Sequence, residues 1–134
     1  TADEVDAAYV AGFMAAAAAG LEVVAERDGA VVGDLHAARL TPRQFARTLG
    51  ELTIAVHPAH QGRGVGRRLF EEFLRIVREE MPDIERVELF AWADNAGALR
   101  LYESLGFRYE GRLPRRVRTD VGEWRDDVLY AWLR

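Results

Sequence analysis

Leu52-Thr53-Ile54-Ala55-Val56, then His57-Pro58-Ala59-His60, then Gln61-Gly62-Arg63-Gly64-Val65-Gly66 leading into Arg67-Arg68-Leu69 is the stretch that decides the fold. Leu52, Ile54 and Val56 alternate with Thr53 and Ala55, a strand pattern that stops at His57-Pro58 because proline cannot donate to a ladder. Beyond the glycines, Val65, Leu69, Phe73, Ile76 and Val77 recur at helical spacing, with Arg67, Arg68, Glu71, Glu72, Arg75 and Glu79 on the other faces. A strand that passes through glycines into a helix points several unpaired backbone N–H groups at one spot, beside the positive end of the helix dipole. Such a spot attracts an anion. Side chains in place of the glycines would hold a phosphate off the backbone, and a nest of amides needs positive φ. A mononucleotide P-loop is excluded, because no Gly-Lys-Ser/Thr closes the turn. A dinucleotide fold is the poorer fit: Arg67 stands where its third glycine belongs.

Outward from this stretch, the helix ends near Met81-Pro82 and Val87 to Ala91 forms the next strand, so the middle of the chain is a βαβ unit with a parallel pair. Asn95 to Leu105 reads as a short helix with Ala98, Leu101, Tyr102 and Leu105 on one side, stopped by Gly106 and sealed by Phe107. Phe107 to Arg112 and Asp127 to Leu133 read as closing strands, joined through an Arg-rich segment and Val121-Gly122. Toward the N-terminus, Leu21 to Arg27 and Ala30 to Leu35 flank Asp28-Gly29, a two-residue hairpin turn. Arg39 to Gly50 has no clear period and reads as an irregular connection, with Thr41-Pro42 as cap and first position of one helical turn. Val5 to Ala19 reads as a buried Ala-rich helix closed by Gly20.

At 134 residues, the chain has room for one domain and no second. A net charge of −4 gives no broad cationic field for nucleic acid or an anionic membrane. Without cysteine there is no disulfide, thiolate metal site or Cys nucleophile, which fits a reducing cytoplasmic setting. The apolar run Phe13 to Ala19 is too short to span a bilayer and follows Asp3, Glu4 and Asp6, where a signal peptide carries positive charge. The chain opens on Thr1, so an N-terminal element is expected to have been trimmed.

The pattern Gln61-x-x-Gly64-x-Gly66 resembles the pyrophosphate-binding motif of the GNAT superfamily of acetyl-CoA-dependent N-acetyltransferases. Trp92-Ala93-Asp94-Asn95, followed by Ala98, Tyr102 and Gly106-Phe107, is similar to that superfamily's second signature. The match runs from about Leu21 to the C-terminus. It implies an α/β fold: a mixed, mostly antiparallel sheet with a central parallel pair splayed to hold CoA, and helices on both faces. Residues 1–134 form a single N-acetyltransferase domain, in which the family's usual first strand is not recognisable.

The resemblance further implies that the strand Leu52 to Val56 splays from Val87 to Ala91, that pantetheine pairs with Ile54, Ala55 and Val56, and that the phosphates rest on Gln61, Gly62, Arg63, Gly64, Val65, Gly66 and Arg67. A backbone N–H near Val56 is the implied oxyanion donor. Tyr102 stands where the family's general acid stands, although an aromatic at helical spacing also simply fills an apolar face. Asn95 is a helix N-cap by type and position and, by likeness, a pantetheine partner. Glu51, at the start of the motif strand, lies near where some relatives place a carboxylate base, and it is equally readable as a solvated strand-end acid. The expected reaction is transfer of acetyl from acetyl-CoA to a primary amine of a small molecule, such as an amino acid or polyamine, by direct attack through a tetrahedral intermediate. A non-catalytic CoA-binding module, or an acetyltransferase acting on protein N-termini or lysines, are the alternatives.

His57 and His60 read as loop residues, and no His/Asp/Glu spacing suggests a metal. Arg112, Arg115, Arg116 and Arg118 form a basic cluster that could bind RNA, grip a phosphorylated acceptor or line a hairpin face, the last being the default. Glu123 and Asp126 could attract a cationic amine. No nucleic-acid or membrane partner is expected, and the chain is expected to be a monomer or homodimer.

Overall fold

The computed structural model describes residues 10–16 and 19–134, with side chains from residue 19 onward. Seven strands form one sheet in the order β1-β2-β3-β4-β5-β7-β6. They are β1 Val10–Ala16, β2 Gly20–Arg27, β3 Ala30–Arg39, β4 Thr48–Val56, β5 Arg86–Trp92, β6 Arg108–Arg118 and β7 Trp124–Leu133, with helices α1 Val65–Glu80 and α2 Ala96–Ser104 between them. Every neighbouring pair is antiparallel except β4 and β5.

That parallel pair holds for two residues only, Thr48↔Arg86 and Leu49↔Val87, after which the strands part. Each strand keeps its other neighbour: β4 continues against β3 to Gly33↔Val56, and β5 against β7 to Trp92↔Asp127. The sheet therefore opens as a wedge between β4 and β5 at their C-terminal ends.

Both helices lie on one face. Leu35, Leu49, Val87, Leu89 and Tyr130 are buried there against Leu69, Phe70, Phe73, Ile76 and Val77 of α1. A side chain at Gly33 would meet Leu69 at 3.1 Å and Val65 at 3.2 Å, so β3 and α1 pack in close contact. Phe70 links the helices, with its ring 5.5 Å from Tyr102 and 5.9 Å from Phe107. Burying each such ring contributes roughly 1.5–3 kcal/mol. Arg134 closes the chain onto the far end of α1, donating to the carbonyl oxygens of Val77 at 2.7 Å and Met81 at 2.9 Å. A cation there also complements the negative end of the helix dipole.

Several local expectations are met in detail. Asp28 and Gly29 both take positive φ, 52° and 79°, and turn β2 into β3. The α2 helix starts on Asn95, whose side chain accepts from Ala98 N–H at 3.3 Å. It ends with Gly106 N–H on the Glu103 carbonyl and Phe107 N–H on the Tyr102 carbonyl, so the last turn is closed by the glycine and by a buried Phe107.

Other expectations are overturned. Val10–Ala16, read as part of an Ala-rich helix, is a strand paired antiparallel with β2 from Val10↔Glu26 to Ala16↔Gly20. An edge strand's pairing partner overrides local helix propensity. The rest of that helix, residues 5–9 and 17–18, lies outside the described residues. Most of the Arg39 to Gly50 connection is ordered: β3 runs to Arg39, β4 begins at Thr48, and the single turn between them is a 3₁₀ segment, Arg43–Phe45, preceded by Pro42 with no side-chain cap. The Arg-rich segment, read as the join between the closing strands, extends the first of them as β6 and lies in its hairpin with β7. The two described helices, α1 and α2, lie together on one face of the sheet.

Candidate active site

Strand alternation sets what faces the wedge. His57 N–H donates to the Val32 carbonyl of β3 at 2.8 Å. Counting back, Ala55 and Thr53 also turn their backbone groups to β3, while Ile54 and Val56 turn theirs to the side that β5 has left. The Val56 carbonyl is taken by Gln61 Nε2 at 3.0 Å, which ties the loop after β4 back to the strand end. The N–H groups of Ile54 and Val56 remain along the open edge. Their side chains point to α1, as the contact of Ile54 with the position of Gly66 at 3.7 Å records.

The turn follows directly. Gly62 and Gly64 have φ of 74° and 80°, and Gly64 is the N-cap of α1. These left-handed positions aim successive amides at one point and would strain any other residue type. The first helical hydrogen bond runs from Arg68 N–H to the Gly64 carbonyl at 3.1 Å. The N–H groups of Val65, Gly66 and Arg67 precede the ladder and lie at the positive end of a sixteen-residue helix. A Cβ at Gly62 would meet nothing within 4 Å, so the space over the turn is open to a diphosphate. Arg67 is anchored across to α2 by a 2.7 Å hydrogen bond to Ser104 Oγ, which fixes the turn relative to the helix that carries Tyr102.

Tyr102 is 9% exposed, packed among Phe70, Phe107 and Tyr130. Its hydroxyl makes no hydrogen bond with a described residue. Burial pushes the phenol above its ordinary value, so it holds its proton at neutral pH. Tyr130, its neighbour, is accounted for differently: its hydroxyl donates to Glu103 at 2.9 Å. Asn95 caps α2 with its oxygen, which leaves its NH₂ group for another partner.

Glu51 sits on a bulge of β4, with φ 52°, where the β3 register skips between His36 and Ala38. It lines a depression of about 470 Å³ with Arg39, Leu40, Thr41 and Phe45, toward the closed end of the wedge. His57 is spent on the loop, accepting from Ala59 N–H at 3.1 Å. Asp126 accepts from Arg112 Nε and from Arg115 N–H, both at 2.8 Å, and these hold its carboxyl below the usual range, the backbone donor first. Both of its oxygens are engaged by its own hairpin.

Sequence spacing did not show one group. Register makes Glu22 and His36 cross-strand partners, and His36 Nδ1 lies 2.7 Å from Asp34 and 4.0 Å from Glu22. Glu22 is raised above the usual carboxylate range, chiefly by sharing a hydrogen bond with Asp34. Only the pairing of β2 with β3 brings these residues together.

A wedge between parallel strands, a row of amides turned into it, and a left-handed glycine turn opening a helix at its mouth form one continuous groove. A model of the Acetyltransferase (GNAT) family matches residues 3–107. The chain belongs to the GNAT family. It is 33% identical over 108 residues to the L-methionine sulfoximine/L-methionine sulfone acetyltransferase of Salmonella typhimurium, a match covering 78% of the chain and 59% of that protein. It is 32% identical over 120 residues to the L-amino acid N-acyltransferase MnaT of Escherichia coli, covering 87% of the chain and 67% of that protein. Among solved structures, yncA from Salmonella typhimurium with its cofactor acetyl-CoA superposes with a TM-score of 0.76 at 27% identity, covering 85% of the chain and 64% of that structure. The GNAT chain thus spans about three fifths of the first of these relatives. Among its described residues no helix is long and apolar enough to cross a membrane.

Proposed function

We propose that this GNAT chain transfers the acetyl group of acetyl-CoA to the primary amine of a small molecule. The observation that carries the reading is the two-residue parallel pairing of β4 and β5, which leaves the Ile54 and Val56 amides facing a gap that ends at the Gly62 and Gly64 turn. The amides of Val65, Gly66 and Arg67, with the Arg63 side chain nearby, would hold the diphosphate. The open β4 edge at Ile54 and Val56, with the Asn95 NH₂, would hold the pantetheine arm. Acetyl-CoA supplies a thioester whose carbonyl carbon is open to an amine.

In the proposed reaction an alkylammonium acceptor first loses a proton, which Glu51 would take through water. The amine nitrogen then bonds to the thioester carbonyl carbon to give a tetrahedral intermediate, and an N–H of the open β4 edge, Ile54 or Val56, donates to the carbonyl oxygen as it gains charge. The C–S bond then breaks. The leaving sulfur takes its proton from the Tyr102 hydroxyl, which burial keeps protonated, and the proton shed by the new amide nitrogen restores the phenol.

A small acceptor is favoured by the substrates for which these relatives are named, methionine derivatives and L-amino acids. The test is release of free CoA from acetyl-CoA by the purified chain across a panel of amino acids, polyamines and N-terminal peptides. Amine-dependent release with a free amino acid or polyamine is the expected result. CoA binding with no release for any amine would instead make the chain a non-catalytic CoA-binding module, and release with peptides alone would make it a protein acetyltransferase.

A further inference from the structure

The four arginines that cluster in sequence separate in the fold. Arg112 pairs with Asp126, while Arg115 and Arg118 lie over Trp124 with centroid distances of 5.0 and 5.6 Å. Arg116 alone leaves the hairpin. Between Leu113↔Asp127 and Val117↔Arg125 the β6 strand carries a bulge, in which Arg115 takes φ 54° and the Asp126 carboxylate accepts Arg115 N–H at 2.8 Å. Bulges re-aim side chains. Here Arg116 is carried across β7, where its guanidinium lies 3.7 Å from Asp127, to β5, where it lies 3.8 Å over the Phe90 ring.

Phe90 and Asp127 stand on the helix-free face: they alternate with Leu89, Ala91 and Val128, which are buried under the helices. Because β5 is one wall of the wedge, the guanidinium is held one strand from the gap. Stacking and the single weak pair fix its plane, and its five donors exceed what one carboxylate at 3.7 Å uses. A planar fork held in this way matches a carboxylate. Across the wedge the charge reverses: β2 and β3 put Glu22, Asp34 and His36 on the same face, with His36 directly opposite Thr53 of β4.

Resting on the acetyltransferase reading, the geometry points to an acceptor that is an α-amino acid, with its carboxylate on Arg116 and its ammonium drawn toward the Glu22, Asp34 and His36 side of the gap. A polyamine, cationic at every end, meets Arg116 as a like charge.

The experiment compares kcat/KM for free L-amino acids, the matching amino acid amides, spermidine and phosphoethanolamine, in the unaltered chain and in Arg116→Gln and Arg116→Lys. The acids are expected to exceed their amides by about 100-fold, since a site built to bond a polar group rejects the analogue lacking it. Arg116→Gln is expected to lower kcat/KM for the acids by about 100-fold, mainly through KM, and to leave the amides within about threefold. The KM for acetyl-CoA stays unchanged. Arg116→Lys recovers part of the loss, because it keeps the charge without the fork. Amides or spermidine used as well as the acids, a preference for phosphoethanolamine, or an equal loss for acid and amide in Arg116→Gln would each overturn the assignment. Should no amine be acetylated, the activity reading falls separately. The Arg116 Nε–H resonance in the CoA-loaded protein then decides this one, by moving or failing to move on titration with an amino acid but not with its amide.

Discussion

Gly64→Val is expected to raise the acetyl-CoA concentration needed for half-maximal rate on the order of 100-fold, while the amine's own KM stays within about threefold. Gly64 holds φ 80° at the N-cap of α1, a conformation that costs a β-branched residue roughly 1–2 kcal/mol. A chain that escapes this strain rotates its amides away from the common point. Losing even one hydrogen bond to a charged phosphate costs about 1.5–3 kcal/mol, which is about one to two decades in affinity. Thermal unfolding of the variant separates the two contributions, because the strain lowers stability without ligand and the lost amides weaken only the ligand. Equal weakening toward both substrates would mean that the turn does not hold the thioester carrier.

Tyr102→Phe is expected to lower kcat by about 100-fold or more, with acetyl-CoA affinity nearly unchanged, as befits loss of a general acid. The hydroxyl makes no hydrogen bond within the described residues, so its removal should change stability by no more than about 0.5 kcal/mol. The pH profile carries the sign. A phenol raised above its ordinary value of about 10 keeps its proton through that pH, and its contribution is lost only as pH rises through the raised value. The unaltered chain should therefore gain rate as the amine deprotonates and fall off only at strongly alkaline pH, whereas Tyr102→Phe should lack that alkaline fall. An unchanged kcat would leave Tyr102 as a packing residue between Phe70 and Phe107.

What could be read from residues alone was local. The Asp28-Gly29 turn, the glycine entry to α1 and the Asn95 and Gly106 ends of α2 each depend on a few consecutive residues whose backbone preferences agree, and all appear in the structure. Val10–Ala16 defeats that approach, because an alanine-rich run favours helix until a neighbouring strand offers it a full ladder. The same limit hid the face proposed to hold the acceptor. Arg116 differs from Arg112, Arg115 and Arg118 only through a bulge pinned by Asp126, and Glu22 meets His36 only through the β2–β3 register. Which backbone amides face the gap likewise follows from the His57 to Val32 hydrogen bond: in the run Ile54, Ala55 and Val56 the outer two turn their amides to the gap and Ala55 turns its amide to β3. Pairing register is a long-range property, and periodicity does not encode it.

The row of amides between β4 and α1 is tested most directly by backbone N–H resonances recorded while CoA is added to the protein. The predicted result is saturable movement concentrated at Ile54, Val56 and Gly62 through Arg67, with smaller movement at Asn95. Resonances that stay fixed at these positions at millimolar CoA, or that move only elsewhere, would contradict it.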